Sequence, residues 1–206
     1  MARPGRHAEG AQTRERVLEA AAELIGRQGY AATSIAQISR ASGAKPASIY
    51  WAFGNKEGLL AAVMERAADR FFEALPEAGF EADPWTALAA LSTAFEGGPE
   101  FLRLMLVLSL ERRDGDPAVL EAARRVRMTA TEALAAGYRA VFATRGTARE
   151  VEIAEELARF TLMLFDGAFI ASRIEPETTN LKRTFALIAT SVRATGERLL
   201  ANSRDE

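Results

Sequence analysis

The sequence has no cysteine and a single histidine, His7, among its 206 residues. The lack of cysteine excludes a disulfide framework, a thiolate nucleophile and a cysteine-ligated metal. One histidine in an N-terminal tail gives no basis for a histidine metal site or a catalytic triad. We therefore predict no catalytic residue, no bound metal and no cofactor, and we do not expect an enzyme.

Long apolar runs are also absent. The longest strictly apolar run, Leu59 to Met64, is far shorter than the ~20 residues that span a bilayer. The first residues, MARPGRH, have no apolar stretch behind their arginines, so no secretory signal is visible. The chain has 49% apolar and 26% charged residues, a composition typical of globular proteins, and we interpret it as cytoplasmic.

Charge is distributed unevenly along the chain, although the net charge is only -2. Residues 1–60 hold eight Lys/Arg and five Asp/Glu, whereas the remaining residues hold 18 basic and 23 acidic side chains. A basic N-terminal part and an acidic remainder suggest that the N-terminal part faces a polyanion.

The spacing of apolar residues is helical almost everywhere, and no segment shows the alternation and hairpin turns of a sheet. We predict an all-α protein of about nine helices. Thr13 is expected to cap the first helix, which ends at Gly29, and Ser34 with Gln37 gives a capping-box pattern for the second. The later helices are predicted to begin near Pro46, Gly54 or Asn55, Pro84, Pro99, Pro117, Thr147 and Thr179.

Residues 34–53 have the pattern of a helix-turn-helix, with a short turn at Gly43 between two short helices. The second helix of such a motif can enter the major groove of DNA. The residues predicted to pack inward are Ile35, Ile38, Ala41, Ile49 and Phe53. A helix-turn-helix shape also occurs in helical bundles that do not bind DNA, so the shape alone does not define the function.

The early outward positions of the second helix carry small side chains, which let a helix approach base edges closely. Pro46 or Ala47 could touch a thymine methyl group by apolar contact. Ser48 could donate a hydrogen bond to a base edge or to a phosphate.

Groups suited to phosphate surround this helix. Thr33 and Ser34 open the preceding helix, whose N-terminus offers N–H groups to an anion. Tyr50 carries a hydroxyl group, and Lys56 begins the following helix. DNA contact and plain packing are both open for Tyr50 and Trp51, whereas a role at a helix end and a phosphate contact are compatible for Ser34 and Lys56.

Three stretches of the N-terminal part resemble the tetracycline-repressor (TetR/AcrR) family. They are T-R-x-R-V-L-x-A-A-x-x-L, G-Y-x-A-T-S-I-x-x-I and S-I-Y-W-x-F-x-N-K-E-x-L, in this order, within the first third of the chain. The resemblance implies an all-helical homodimer with a three-helix DNA-binding domain and a variable ligand-binding body. It also implies DNA contacts from Thr33, Ser34, the recognition helix Lys45–Trp51 and Lys56.

Three positions depart from the usual pattern of this family. Lys45 stands where a small cap residue is common, Pro46 where a basic residue is common, and Ala52 where His or Tyr is common. The long side chain of Lys45 is a candidate for an added phosphate or base contact. The predicted DNA-binding residues are Thr33, Ser34, Lys45, Pro46, Ala47, Ser48, Tyr50, Trp51 and Lys56.

We divide the chain into a flexible N-terminal arm (1–10), a DNA-binding domain (11–71) and a ligand-binding and dimerisation domain (72–206). Arg3 and Arg6 in the arm could reach a minor groove, or the arm could be a plain disordered tail.

The last two helices are predicted to form a dimer interface. Apolar residues of the final helix follow the 3-4 spacing of a coiled-coil seam, and Ala189 and Gly196 beside it permit close approach of another helix. The preceding helix is almost entirely apolar from Phe160 to Ala171, which a second subunit would cover. The alternative is that these helices form the core of a single chain. The predicted interface residues are Leu181, Phe185, Ile188, Val192, Thr195 and Leu199.

Aromatic and methionine side chains of the C-terminal part suit an adaptable apolar cavity for a small molecule. The same residues could instead form ordinary core. Asp166, an acid inside the apolar stretch, is either a hydrogen-bonded structural group or a polar contact in the cavity or interface. The predicted ligand-binding residues are Phe95, Phe101, Leu104, Met105, Leu108, Met128, Met163, Phe165, Asp166 and Phe169.

These predictions lead to one function, a ligand-responsive transcriptional repressor. It is expected to bind a pseudo-palindromic DNA operator as a homodimer, away from any membrane, and to be released by a small, largely apolar effector. The effector is expected to act by moving the helix over residues 56–75, which changes the separation of the two DNA-binding domains. The alternatives are a non-specific DNA-coating protein and a helical enzyme.

Overall fold

The computed structural model describes residues 4–73, 75, 83–97, 100–111, 117–143 and 145–203, without the side chains of residues 4–8, 100 and 107–111. Every regular element in these ranges is an α-helix, which confirms the predicted all-α class. The helices are α1 (Pro4–Gln28), α2 (Ile35–Ser42), α3 (Pro46–Phe53), α4 (Lys56–Glu73), α5 (Pro84–Glu96), α6 (Glu100–Glu111), α7 (Pro117–Phe142), α8 (Ala148–Ile174) and α9 (Leu181–Asn202). Within the same ranges, no helix is both long and apolar enough to cross a membrane.

Most helix ends follow the capping residues that the sequence indicates, but the start of α1 does not. The prediction that α1 begins at Thr13 is wrong, because the helix begins at Pro4. Proline fits the first turn of a helix, and Gly10 alone disfavours the helix by only ~1 kcal/mol. Residues 4–10 of the predicted flexible arm are therefore helical, while Arg3 and the side chain of Arg6 lie outside the described parts.

The chain forms two compact units. The first, which we call the head unit, comprises Met1–Arg70 and Glu100–Arg124; the second, the body unit, comprises Phe71–Pro99 and Arg125–Glu206. The predicted division after residue 71 assigned residues 100–124 to the C-terminal domain, whereas they group with the N-terminal segment. The limits of the DNA-binding domain itself stay a prediction.

The core of the head unit is built from the apolar faces of its helices. Val17, Leu18 and Ala21 of α1 are buried together with α2, α3 and α4 side chains. Leu104 of α6 and Val119 of α7 join the same core, which explains why residues 100–124 belong to this unit.

The core of the body unit is aromatic. Phe185 of α9 stacks on Phe165 of α8 with ring centroids 4.9 Å apart, and Phe95 of α5 lies 4.8 Å from the Phe185 ring. Buried Tyr138 of α7 hydrogen-bonds to Thr161 of α8 at 2.8 Å. Thr161 donates its own proton to the Leu157 carbonyl, so Tyr138 is the donor, and its burial raises the pKa of the phenol.

Candidate nucleic-acid interface

The turn between α2 and α3 is fixed by local hydrogen bonds. The Ser34 hydroxyl accepts the Gln37 backbone N–H, and the Gln37 side chain accepts the Ser34 N–H at 2.7 Å, which completes the predicted capping box. Gly43 ends α2 with φ +70°, a conformation that favours glycine. The Ser39 hydroxyl then donates to the Ala44 carbonyl at 2.7 Å, so the turn is held from within.

The inward residues of the helix-turn-helix lie largely as predicted. Ile35 and Ile38 of α2 and Ile49 of α3 are buried in the head core, and Phe53 packs against it while half-buried. Ala41 is exposed, so its predicted inward position is wrong. The burial of Ile49 and Phe53, four residues apart, fixes which face of α3 points away from the protein.

The outward face of α3 carries most of the residues predicted to contact DNA. Lys45, Pro46, Ala47 and Ser48 are all exposed at its N-terminal end. Tyr50 and Trp51 are exposed too, and Trp51 reaches 91% of its full accessible area. Burying an indole ring is strongly favourable, so a tryptophan left this exposed is an unusual feature of a helix surface.

The junction of α3 and α4 depends on two glycines: Gly54, predicted near the start of α4, and Gly58, which the sequence reading did not single out. Gly54 ends α3 with φ +76°. The Asn55 side chain accepts the Gly58 N–H at 2.6 Å and so begins α4. A Cβ at Gly58 would overlap the Phe53 carbonyl oxygen, so this close approach of the two helices requires glycine.

Lys56 is held beside this junction by Tyr30, another residue that the sequence reading missed. The Lys56 Nζ lies 4.1 Å from the centroid of the Tyr30 ring, and the Tyr30 hydroxyl donates to Glu57 at 3.0 Å. Lys56 is half-buried and keeps part of its surface exposed. The G-Y pair at residues 29–30 belongs to one of the stretches that resemble the family, so the sequence did contain an indication that Tyr30 matters.

The side chain of Thr33 does not lie where the predicted DNA contact requires it. Its side chain is 1% exposed; its hydroxyl donates to the Gly29 carbonyl at 2.8 Å and accepts from Gln28 at 3.3 Å. Because the hydroxyl has one proton and lies inside the protein, the Thr33 side chain cannot contact a phosphate in this conformation.

An ion-pair network joins α1 to α4 on the surface of the head unit. Arg66 and Arg70 of α4 both donate to the Glu15 carboxylate of α1, Arg66 through its Nε at 2.7 Å and Arg70 at 3.1 Å. The hydrogen bond from Arg66 is the main reason that the pKa of Glu15 lies below its ordinary value. Nearby, the Arg14 guanidinium lies 5.3 Å from the Phe53 ring centroid.

The structure does not gather the predicted ligand-binding residues into one group. Phe101, Leu104 and Met105 are buried in the head unit, where Leu104 is ordinary core. Phe95, Phe165 and Phe169 are buried in the body unit. The Leu108 side chain lies outside the described residues.

The prediction that Met128 and Met163 line a cavity within this chain is wrong, because their side chains are 69% and 59% exposed. Asp166 is half-buried and accepts a hydrogen bond from Arg127 of α7 at 2.8 Å. The ion pair supports the interpretation of Asp166 as a hydrogen-bonded structural group.

The predicted dimer seam on α9 is also corrected. Phe185, Ile188 and Val192 are buried inside the body unit, against other helices of the same chain. At Gly196, an added Cβ would lie 2.6 Å from the Phe142 ring and 2.9 Å from Leu157, so this glycine admits the chain's own helices. Of the remaining predicted residues, Thr195 is exposed and Leu181 and Leu199 are half-buried.

Apart from Met128 on α7, the large exposed apolar residues in the described part of the body unit lie on other faces of α8 and α9. Met163, Gly167, Ile170 and Ile174 are exposed at spacings of three and four residues, which places them along one face of α8. Leu187, 59% exposed, stands outward on α9.

The sequence model of the family described as bacterial regulatory proteins, tetR family, matches residues 17–63, which span α1 to α4. The HTH-type transcriptional repressor ComR of Escherichia coli (strain K12) is 47% identical over 58 residues, covering 28% of each chain. The HTH-type transcriptional regulator AcrR of Shigella flexneri is 30% identical over 127 residues, 57% of this chain and 58% of that relative.

These sequence matches span less than two thirds of the length of either relative. Among solved structures, a triclosan complex of SmeT, the repressor of the Stenotrophomonas maltophilia multidrug efflux pump SmeDEF, has a TM-score of 0.66 at 20% identity. That similarity covers 89% of this chain and 90% of SmeT and shows a shared fold.

The helices and their outward residues define an all-α protein with an N-terminal helix-turn-helix. Residues 17–63 are thus similar to the tetR family of bacterial regulatory proteins, and the solved structures share the fold of the chain.

Proposed function

We propose that this chain is a transcriptional repressor that binds a pseudo-palindromic operator as a homodimer and is released by a small, largely apolar effector. The observation that carries the proposal is the exposed outer face of α3. Ile49 and Phe53 anchor α3 on one side, and Ala47, Ser48 and Trp51 stand on the opposite side, where a major groove would meet them.

Several groups next to α3 suit the sugar-phosphate backbone. The exposed Ser34 stands at the N-terminus of α2, where backbone N–H groups favour an anion. Tyr50 offers a hydroxyl, and Lys45 and Lys56 offer charge at the two ends of α3. Phosphate contacts fix the position of a protein on DNA, whereas base contacts select the sequence.

The exposed apolar stripe on α8 supports homodimerisation, with Leu187 on α9 as a further contact. A stripe of Met163, Gly167, Ile170 and Ile174 leaves apolar area in water unless another surface covers it. A second copy offers the same stripe, and a twofold axis pairs identical surfaces. Such a dimer is expected to present its two recognition helices to half-sites ~34–36 Å apart on the operator.

Release by an effector is supported by the family and by the fold neighbour SmeT, whose solved structure contains triclosan. The buried aromatic side chains of the body unit suit an apolar molecule. Because α4 contributes residues to both units, we propose that it transmits the effect of binding. An effector acts in this way only if it binds the released conformation more tightly than the operator-bound one.

The DNA-binding part is tested by measuring the affinity of the full chain for genomic fragments that it selects, as a function of salt. A steep fall of affinity with salt is expected, because phosphate contacts release counterions. Lys56→Ala should weaken binding to all sequences alike and flatten the salt dependence, whereas Ser48→Ala should alter the sequence preference. Lys182→Ala, which removes an exposed lysine of the body unit, is the matched control and should change neither property.

Two outcomes would contradict this part of the proposal. One is a salt dependence near zero. The other is a footprint without a discrete protected site, which would indicate a non-specific DNA-coating protein.

Dimerisation is tested by sedimentation of an Ile174→Glu variant, which places a charge on the 72% exposed side chain of the α8 stripe. We expect the variant to be monomeric at concentrations where the unaltered chain is dimeric. Met128→Glu is the matched control, since Met128 is equally apolar and 69% exposed but lies on α7. Equal dissociation by both variants would rule out the α8 stripe as the interface.

A further inference from the structure

The outer face of α3 is unusual in the kind of side chain that it presents. Ala47 and Trp51 are one turn apart and lie opposite the buried Ile49 and the half-buried Phe53. Trp51 is the most exposed of the large apolar side chains in the described part of the chain. Beside them stands Ser48, so the outermost surface is a methyl group, an indole ring and one hydroxyl.

Side chains that recognise bases by paired hydrogen bonds are missing from α3. Arg or Lys recognises guanine in this way, Asn or Gln recognises adenine, and Glu or Asp accepts from cytosine. The sequence of α3, PASIYWAF, contains none of these six residue types. In the major groove, the thymine methyl group is the feature that an apolar surface can recognise.

Polar residues near α3 offer little replacement for the base-recognising side chains that α3 lacks. The Gln37 side chain is held in the capping box by two hydrogen bonds with Ser34. Lys45 lies at the N-cap of α3 and makes no side-chain cap hydrogen bond, so it is a nearby group that could compete as a base reader.

We propose that α3 selects its operator mainly by apolar contact of Ala47 and Trp51 with thymine methyl groups, while Lys45 contacts phosphate. This inference rests on the proposed DNA-binding function and adds the chemical feature by which the sequence is chosen. The expected half-site therefore contains thymines at the positions facing α3 and no guanine that contributes more to specificity than they do.

The experiment starts with duplexes that the full-length protein enriches from a random-sequence library. The enriched duplexes are then made with deoxyuridine in place of thymidine, which removes the methyl group and keeps the base pairing. We expect affinity to fall about fourfold for each contacted thymine, since burying one methyl-sized group is worth about 0.8 kcal/mol. Deoxyuridine placed only outside the half-sites is the control and should leave affinity unchanged.

Variants of the protein assign the contact to residues. Trp51→Ala removes a side chain that is 91% exposed, so the fold should persist, and the deoxyuridine penalty should vanish at the thymine facing residue 51. Leu120→Ala, at a partly exposed leucine of α7, is the control and should keep the full penalty. Lys45→Met should weaken binding to thymidine and deoxyuridine duplexes by the same factor.

The results separate this inference from the function on which it rests. Enrichment of discrete duplexes with no deoxyuridine penalty would overturn apolar readout and leave sequence-specific DNA binding standing. A dominant G·C preference that disappears in Lys45→Met would likewise overturn it in favour of Lys45 as the reader. Failure to enrich any sequence would overturn both proposals.

Discussion

The head unit and the body unit are both helical, but they are held together in different ways. In the head unit, the short helices α2 and α3 meet their neighbours through caps and glycines, and Gly43, Gly54 and Gly58 fix the backbone on either side of α3. In the body unit, long helices meet through large buried rings, with Phe165 and Phe185 at the centre. We infer that the position of α3 depends on backbone conformation, whereas the stability of the body unit depends on the volume of its buried side chains.

The largest expected effect is in the body unit. Phe185→Ala removes a completely buried ring and should lower the free energy of unfolding by about 3–5 kcal/mol, measured by urea denaturation. Lys182→Ala, at an exposed residue of the same helix, is the control and should change the stability by less than about 0.5 kcal/mol. Similar losses from the two variants would show that α9 does not pack as described.

The next largest effect is expected in the head unit, where the backbone conformation next to α3 is tested. Gly58→Ala forces a Cβ onto the Phe53 carbonyl oxygen, which is backbone and cannot rotate away. We expect a stability loss of about 3 kcal/mol and loss of DNA binding, measured by thermal unfolding and fluorescence anisotropy. Gly10→Ala is the matched control, because Gly10 is helical with open space around it and alanine is the better helix former. A fully active Gly58→Ala protein would refute the proposed role of this close approach.

A smaller effect concerns the placement of Lys56. Tyr30→Phe keeps the ring under the Lys56 ammonium group but removes the hydrogen bond to Glu57, and should cost about 1 kcal/mol of stability. Tyr30→Leu also removes the ring, so DNA affinity should fall further than in Tyr30→Phe. If Tyr30→Leu and Tyr30→Phe bind DNA equally well, the ring does not position Lys56.

The smallest effect is at the surface ion pair of the head unit. The lowered pKa of Glu15 means that its contribution to stability is present above the ordinary carboxyl pKa of ~4.3 and is lost as the pH falls through the lowered value. Glu15→Gln should therefore cost less than about 1 kcal/mol at pH 7, because the Glu15 side chain is 50% exposed and water screens its charge, and nothing in strong acid. Glu19→Gln, further along α1, is the control in stability measurements across pH. A cost that stays constant down to pH 2 would exclude an electrostatic origin.

The two units also differ in how far the sequence predicted them. In the head unit, the predicted DNA-contacting side chains are exposed, except for the half-buried Lys56 and the buried Thr33. The Thr33 side chain could not be assigned from sequence, because a threonine at a helix start can face a ligand or its own backbone. In the body unit, the α9 spacing predicted an apolar face at Phe185, Ile188 and Val192, but not which helix covers it.

The sequence by itself determined the helices, their caps and turns, and the helix-turn-helix, because these depend on interactions between residues a few positions apart. Only the tertiary structure decided that the apolar face of α9 is covered by the same chain and that Gly58 brings α3 against α4. It also decided that residues 100–124 belong with the head unit. The physical reason is that apolar periodicity specifies a surface to be buried, while its partner is selected by packing between segments far apart in the chain.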